Sequence, residues 1–273
     1  FEAIILGIIQ GLTEFIPISS SAHIRLAGEV FPNAIDPGAM FTAITQIGTE
    51  LAVLIYFRKD IVRIISSWVS SLTDKSARNQ DSKMGWLIII GSLPIVIIGY
   101  LAQDFIETDL RSLWIIATMM VVFGLVLGAA DRFGAKTKEL SQLNVKHGIL
   151  YGLAQSLALI PGVSRSGATI AMGRFLGYTR EAALRYSFLL ALPAVFGSGF
   201  YQLQGALSSS DSSNVFSLAE TAVATGIAFV VGYLVIAWLL KFVSTKSFMP
   251  FIIYRVILGT VILILLAIGA ISA

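Results

Sequence analysis

Long apolar stretches alternate along the chain with short polar breaks. Six runs, about 41 to 57, 86 to 102, 113 to 130, 186 to 204, 219 to 240 and 250 to 271, are long enough to cross a bilayer. Each is read as a helix, because an open strand cannot satisfy its backbone groups in lipid. Two further apolar segments, 1 to 16 and 148 to 160, stop at Pro17 and at Pro161-Gly162. At 1.5 Å per residue they would be roughly 24 and 20 Å long, short of the about 30 Å of hydrocarbon a span must cross.

Those two segments form a repeat. "AIILGIIQGLTEFIP" (3 to 17) and "GILYGLAQSLALIP" (148 to 161) align Gly7 with Gly152, Gln10 with Gln155 and Leu12 with Leu157 at one offset, then Pro17 with Pro161 after a one-residue gap. A serine-rich turn follows each, "ISSSAH" and "VSRSGAT", then a second short segment and three long spans. Gly7 and Gly11, like Gly152 and Ser156, are spaced for close helix contact, and packing is the reading preferred for them.

The loop charges orient the halves. Arg58, Lys59, Arg63, Lys75, Arg78 and Lys83 fill the loop from 58 to 83; Arg132, Lys136, Lys138 and Lys146 fill that from 131 to 147; Lys241 and Lys246 lie near 241 to 246. By the positive-inside rule these belong in the cytoplasm. The 103 to 111 loop (Asp104, Glu107, Asp109, one Arg111) and the 205 to 218 loop, without Lys or Arg, belong outside. A single crossing by 148 to 177 would reverse every later assignment, so that segment is expected to be a re-entrant hairpin, and residues 1 to 30 likewise. One hairpin plus three spans is an odd count per half, so the second half is inverted. The expected fold is all-α and polytopic, with six transmembrane helices plus two re-entrant helical hairpins in two inverted-topology repeats. It forms a single membrane domain (1–130, 148–273) joined by a cytoplasmic linker, 131–147. Inverted repeats with broken helices put a polar site near the midplane, where the tips meet.

Composition narrows the classes further. Hydrophobic residues are 56% and charged residues 13% of the 273, with mean hydropathy +0.84, leaving no room for a soluble domain. A net charge of +3 spread over short loops argues against a nucleic-acid partner. The chain has no cysteine, so thiolate chemistry is excluded. The first segment has no basic n-region and holds Gln10 and Glu14, so it is not expected to be a cleaved signal peptide.

The candidate chemistry sits at the tips. Gln10 and Glu14 share a helix face. A carboxylate near mid-membrane costs on the order of 2.5 kcal/mol or more and is a functional candidate by default; the alternative is an interfacial Glu in water. Gln10 is either a helix-to-helix hydrogen-bonding residue or part of the site. Ser19, Ser20 and Ser21 start a helix, where free N–H groups and the dipole suit a phosphate. His23 lies close by. In "PGVSRSGAT", Arg165 is flanked by Ser164 and Ser166 and followed by Thr169, a phosphate clamp or a structural partner for Glu14. Glu50 either lines the cavity with Gln46 or lies at the outer interface. The pooled set fits hydrolysis of a phosphate ester or anhydride by a hydroxyl nucleophile. Oxygen ligands would take Mg²⁺ or Ca²⁺. The rival reading is a transporter or flippase of an anionic lipid.

"QGLTEFIPISSSAH", "SRSGATIAMGRFLGYTREAALRYSFLLALPAVFGSG" and "SFMPFIIYR" together resemble the undecaprenyl-diphosphate phosphatase family of bacteria over essentially the whole chain. The resemblance implies removal of the terminal phosphate from a C55 polyprenyl diphosphate, recycling the carrier lipid for cell-wall synthesis, with a link to bacitracin resistance. It implies a multi-pass protein of the bacterial cytoplasmic membrane; the hairpin topology implies a site opening to the outer face. Membrane lipids surround it, and a homodimer is compatible with it. By motif, the acidic pair falls on Gln10 and Glu14, also the expected metal ligands. The serine pair falls on Ser19 and Ser20, the histidine on His23 and the phosphate-binding arginine on Arg165, with Ser164, Ser166 and Thr169 beside it. The resemblance favours Ser20 as nucleophile, His23 also having been described so; Glu14 or His23 would handle the proton. Glutamine at position 10 departs from members with glutamate there, which weakens a metal role resting on two carboxylates.

Overall fold

The computed structural model describes residues 1–31, 37–208 and 215–272. They form helices α1 (Glu2–Thr13), α2 (Ser20–Val30), α3 (Gly38–Tyr56), α4 (Arg58–Thr73), α5 (Gln80–Leu101), α6 (Gln103–Thr108), α7 (Leu113–Phe133), α8 (Val145–Ser156), α9 (Arg165–Phe175), α10 (Arg180–Ser208), α11 (Leu218–Thr245) and α12 (Met249–Ala267). Five of the six expected spans, α5, α7, α10, α11 and α12, are long and apolar enough alone; α3, at the place of the sixth, qualifies only when joined to α4, which is bent away from it. Part of the expected outer loop, 209 to 214, and the side chains of Asp104, Glu107 and Asp109 lie outside the described residues.

Both short segments turn back as helical hairpins, α1–α2 and α8–α9. α1 and α8 have 12 residues each, about 18 Å of helix, so neither reaches across. The hairpin of each half packs on the second span of the other half, α1 on α11 and α8 on α5. α3 and α10 pack on each other, as do α7 and α12, and the α3–α11 contact has its counterpart in α10–α5. Exchanging the halves thus maps these contacts onto one another, as the inverted repeat requires.

The small residues are what let the hairpins seat. A Cβ at Gly7 would lie 2.6 Å from the Ala224 carbonyl oxygen, and one at Gly152 would lie 2.3 Å from the Gly91 oxygen. Gly152→Val is expected to destabilise the fold by about 1–3 kcal/mol through overpacking, read as a lowered melting temperature in detergent. Gly226→Ala, at a glycine with open space around it, should leave that temperature unchanged.

One element differs from the expectation. The 58 to 83 segment, read as a loop, contains α4, set at 81° to α3. Val62, Ile65, Val69 and Leu72 recur at helical spacing and are 51–66% exposed, while Ile64 and Ser71 are buried. An apolar stripe on a charged helix lying across its neighbouring span has the build of an interfacial helix. Its charges hid the period, because a search for continuous apolar runs cannot register an amphipathic one. Lys241, assigned to a loop, lies inside α11, which continues to Thr245.

The linker is fastened rather than loose. Thr137 and Lys138 donate backbone N–H groups to the Gly177 oxygen, and Thr179 donates back to Lys138. Buried Asp131, near the end of α7, accepts from Arg174 (3.1 Å), from Arg180 (2.7 and 3.0 Å) and from the Phe248 backbone N–H (3.3 Å). This cluster ties the bases of α9, α10 and α12 to α7 and so fixes the height at which the α9 tip stands.

Candidate functional site

The two tips have one backbone design. Among the described residues only two non-glycines have positive φ, Ser19 (75°) and Ser164 (72°), and each is the N-cap of a short helix. Such strained conformations cluster at functional sites. The Ser19 and Ser21 hydroxyls lie 3.2 Å apart, and those of Ser164 and Ser166 also 3.2 Å. Between each pair stands a different side chain, Ser20 on one tip and Arg165 on the other. The tips touch: the Ser166 hydroxyl donates to the backbone oxygens of Glu14 (3.3 Å) and Ile16 (3.4 Å).

Glu14, 6% exposed, is the hub. Its Oε2 accepts from the Ser20 hydroxyl at 2.7 Å and from Gln10 Nε2 at 2.6 Å, and its Oε1 accepts from Arg165 Nη2 at 2.7 Å. The same Nη2 donates to Glu50 Oε1 at 2.6 Å. Glu50 therefore lines the cavity and is fully buried; Gln46 is not among the lining residues. Arg165 Nη1 is buried without a partner. The ion pair with Glu14 and a free guanidinium nitrogen thus coexist in one side chain, and the clamp and structural readings of Arg165 do not compete. Gln155, the counterpart of Gln10, has Leu159 where Gln10 has Glu14, so the carboxylate belongs to the α1–α2 tip and the guanidinium to the other.

His23 is half-buried at the open edge of the site, with Ser20 and Ser21. Its Nδ1 is 2.7 Å from the Ser19 carbonyl oxygen, and its Nε2 is 2.8 Å from the Tyr254 hydroxyl. A carbonyl only accepts, so the neutral ring carries its proton on Nδ1 and Nε2 accepts from Tyr254. The rings stack with centroids 5.6 Å apart. Both nitrogens are engaged, whereas the Ser20 hydroxyl already points at a carboxylate. Thr169 stands apart from this group: it is fully buried, donating to the Arg165 backbone oxygen at 2.8 Å and lying 2.5 Å from the Ser187 hydroxyl, so it braces α9 against α10. The Ser164 hydroxyl caps α9 by accepting from Gly167 N–H at 3.1 Å. α2 has no such side-chain cap, which leaves its N-terminal N–H groups and dipole free for an anion.

Two contributors carry no role in the sequence reading, although both lie in "SFMPFIIYR": Tyr254, which holds His23, and Arg255. Arg255 is fully buried and donates only to backbone oxygens: Met120 (3.0 Å), Pro17 (3.1 Å), Gly162 (2.9 Å) and Val163 (3.0 Å). It stitches both hairpin turns to α7. An arginine inside an apolar run is itself the signal that could have found it. Arg255→Met removes four donors from buried carbonyls. It should destabilise the fold by about 2–4 kcal/mol, seen as an earlier thermal transition in detergent.

A hydroxyl on a carboxylate, a guanidinium with a free nitrogen and an open helix N-terminus can together bind a phosphate and transfer it. The family model described as "Bacitracin resistance protein BacA" matches residues 3–261. The undecaprenyl-diphosphatase of Paenarthrobacter aurescens (strain TC1) is 60% identical over 273 residues, covering 100% of this chain and 99% of that protein. The undecaprenyl-diphosphatase of Micrococcus luteus gives the same figures. Undecaprenyl-diphosphatase 2 of Agrobacterium fabrum is 59% identical, covering 100% of this chain and 97% of its own.

Proposed function

The chain belongs to the bacitracin resistance protein BacA family, and from that premise we propose a membrane-embedded phosphatase that hydrolyses undecaprenyl diphosphate to the monophosphate and phosphate. It recycles a carrier lipid for peptidoglycan synthesis. The observation that carries this reading is the Ser20 hydroxyl held on the Glu14 carboxylate at 2.7 Å, with Arg165 on the same carboxylate's other oxygen. A transporter needs no such pair, and full-length relatives with phosphatase names favour hydrolysis over transport.

The terminal phosphate enters past Ser20 and His23, meeting the α2 N-terminus and the free Nη1 of Arg165. Ser20 Oγ attacks the terminal phosphorus as Glu14 takes its proton. The bond from that phosphorus to the bridging oxygen breaks, and the prenyl monophosphate leaves as an anion. Glu14 passes that proton to the departing monophosphate, then takes one from the water that cleaves the phosphoserine and hands it to the serine oxygen as inorganic phosphate is released. Arg165 and the helix dipole stabilise the charge spread over the equatorial oxygens. Tyr254 and the Ser19 carbonyl oxygen hold the His23 ring in place beside the entrance. Ser19, Ser164 and Ser166 hold the tips in shape around the phosphate, while Thr169 supports Arg165 from behind.

A divalent cation, Mg²⁺ or Ca²⁺, suits the oxygen donors present: Glu14 supplies a carboxylate, and the buried Gln10 Oε1, which has no partner, supplies a neutral oxygen. When bound, it would neutralise diphosphate charge. The whole chain is one membrane domain, with halves 1–130 and 148–273 inverted about the 131–147 linker. Its place is the bacterial cytoplasmic membrane, with the site opening outward, away from the basic loops, and the prenyl tail left among membrane lipids. Every site residue comes from one chain, so a homodimer is compatible with catalysis but not needed for it. Phosphate release from a C15 or C55 prenyl diphosphate by purified protein in detergent, where no second compartment exists, tests the reading; its absence from folded protein favours transport.

A further inference from the structure

Glu50 is an expensive residue for an apolar span. It is fully buried on α3, and only one of its oxygens is used: Oε1 accepts from Arg165 Nη2, while Oε2 has no partner. A buried carboxylate oxygen left unpaired is costly and calls for an explanation. Gln10 Oε1, also fully buried, is unpartnered too. Glu50 borders, with Glu14, Arg165, Ser166 and Ser187, a small cavity of about 10 Å³ of free space; Gln10 stands on the far side of Glu14, its Nε2 on Oε2. That is room for about one water-sized occupant.

The acids also outnumber the base. Glu14 and Glu50 place two carboxyl groups on one guanidinium nitrogen, in a site whose substrate is a polyanion. Their Oε1 atoms are both within 2.7 Å of a single nitrogen, so they are close enough to share an ion. Among the described residues no group of three or more His, Asp or Glu side chains converges. Mg²⁺, however, is commonly held by one or two carboxylates, with substrate phosphates and waters completing its shell.

We propose that Glu50 is the second carboxylate of a divalent-cation site shared with Glu14, with the Gln10 carbonyl oxygen as a neutral third donor. Glu50, on a spanning helix, supplies the charge that Gln10 cannot. The cation then adds positive charge to the pocket and makes it receptive to a diphosphate. This deepens the phosphatase reading and rests on it for its substrate.

The test is binding of Mn²⁺ alone, followed by loss of the free-ion paramagnetic resonance signal, to the purified full chain in detergent. Wild type should bind about one ion per chain, Glu50→Gln should weaken binding by about tenfold or more, and Gln10→Glu with Glu50→Gln should recover most of it. Should Glu50→Gln fail to fold, Glu50→Asp keeps the charge but shortens its reach and should also weaken binding. Wild type that takes up no Mn²⁺, or a folded Glu50→Gln that binds it like wild type, overturns the proposal. Phosphate release measured on the same samples separates the two readings. Hydrolysis without cation binding sinks only the cation site, and cation binding through Glu50 without hydrolysis sinks only the phosphatase.

Discussion

Ser20→Ala is expected to lower kcat for phosphate release from a prenyl diphosphate by about 10³-fold or more, with little change in KM. Its hydroxyl is small and half-buried, so the fold should not suffer, and an unchanged melting temperature is part of the prediction. The loss should be in kcat because the hydroxyl forms its bond to phosphorus only in the transition state. His23→Ala should cost much less, since neither ring nitrogen contacts Ser20 or Glu14. An equal loss in both variants would mean that the imidazole takes part in the chemical step.

Arg165 should give the second large effect, through two separable causes. Arg165→Ala removes the phosphate clamp, worth about 10²–10³-fold in rate for a preorganised donor. It also leaves Glu14 and Glu50 facing each other in a buried site, a penalty of about 3–5 kcal/mol for uncompensated charge. The single variant should therefore be both inactive and thermally fragile. Arg165→Met combined with Glu50→Leu removes the stranded charge with the cation, so it should recover most of the melting temperature and none of the activity. Non-additivity of that size is expected of residues in one network. Arg165→Lys should not rescue the rate, because an ammonium cannot hold two carboxylates and keep a further nitrogen, like Nη1, for the phosphate. Recovery of activity in the double variant would mean that Arg165 serves only as a counterion.

The spans, both hairpins and the two tips were legible because each rests on a local signal: run length, a proline stop, or serines beside a charge. The repeat was legible for the same reason, since Gly7 and Gly152 face backbone at equivalent places. Other features depend on contacts that the chain makes only when folded. Glu50 meets Arg165 across 115 positions, so sequence could flag it as out of place without choosing between cavity and interface. The partners of Arg255 are carbonyls exposed by the hairpin turns themselves, which no residue-type pattern announces. Thr169 sits in the serine-rich motif yet turns toward Ser187, because on α9 its position faces α10 rather than the tip. α4 escaped for a different reason: its apolar stripe is one face of a charged helix. Family resemblance located the acidic pair at Gln10 and Glu14, but only the folded geometry brings Glu50 to the position of a second carboxylate.

The most direct measurement mixes purified protein in detergent with a prenyl diphosphate labelled at its terminal phosphate, quenches in denaturant at neutral pH within one turnover, where a serine or a histidine phosphate survives, and maps the label by mass spectrometry. Release of labelled phosphate with transient label on Ser20, absent in Ser20→Ala, is the predicted result. Label on His23 would contradict the assigned nucleophile, and no release from folded, cation-supplied protein would contradict the phosphatase itself.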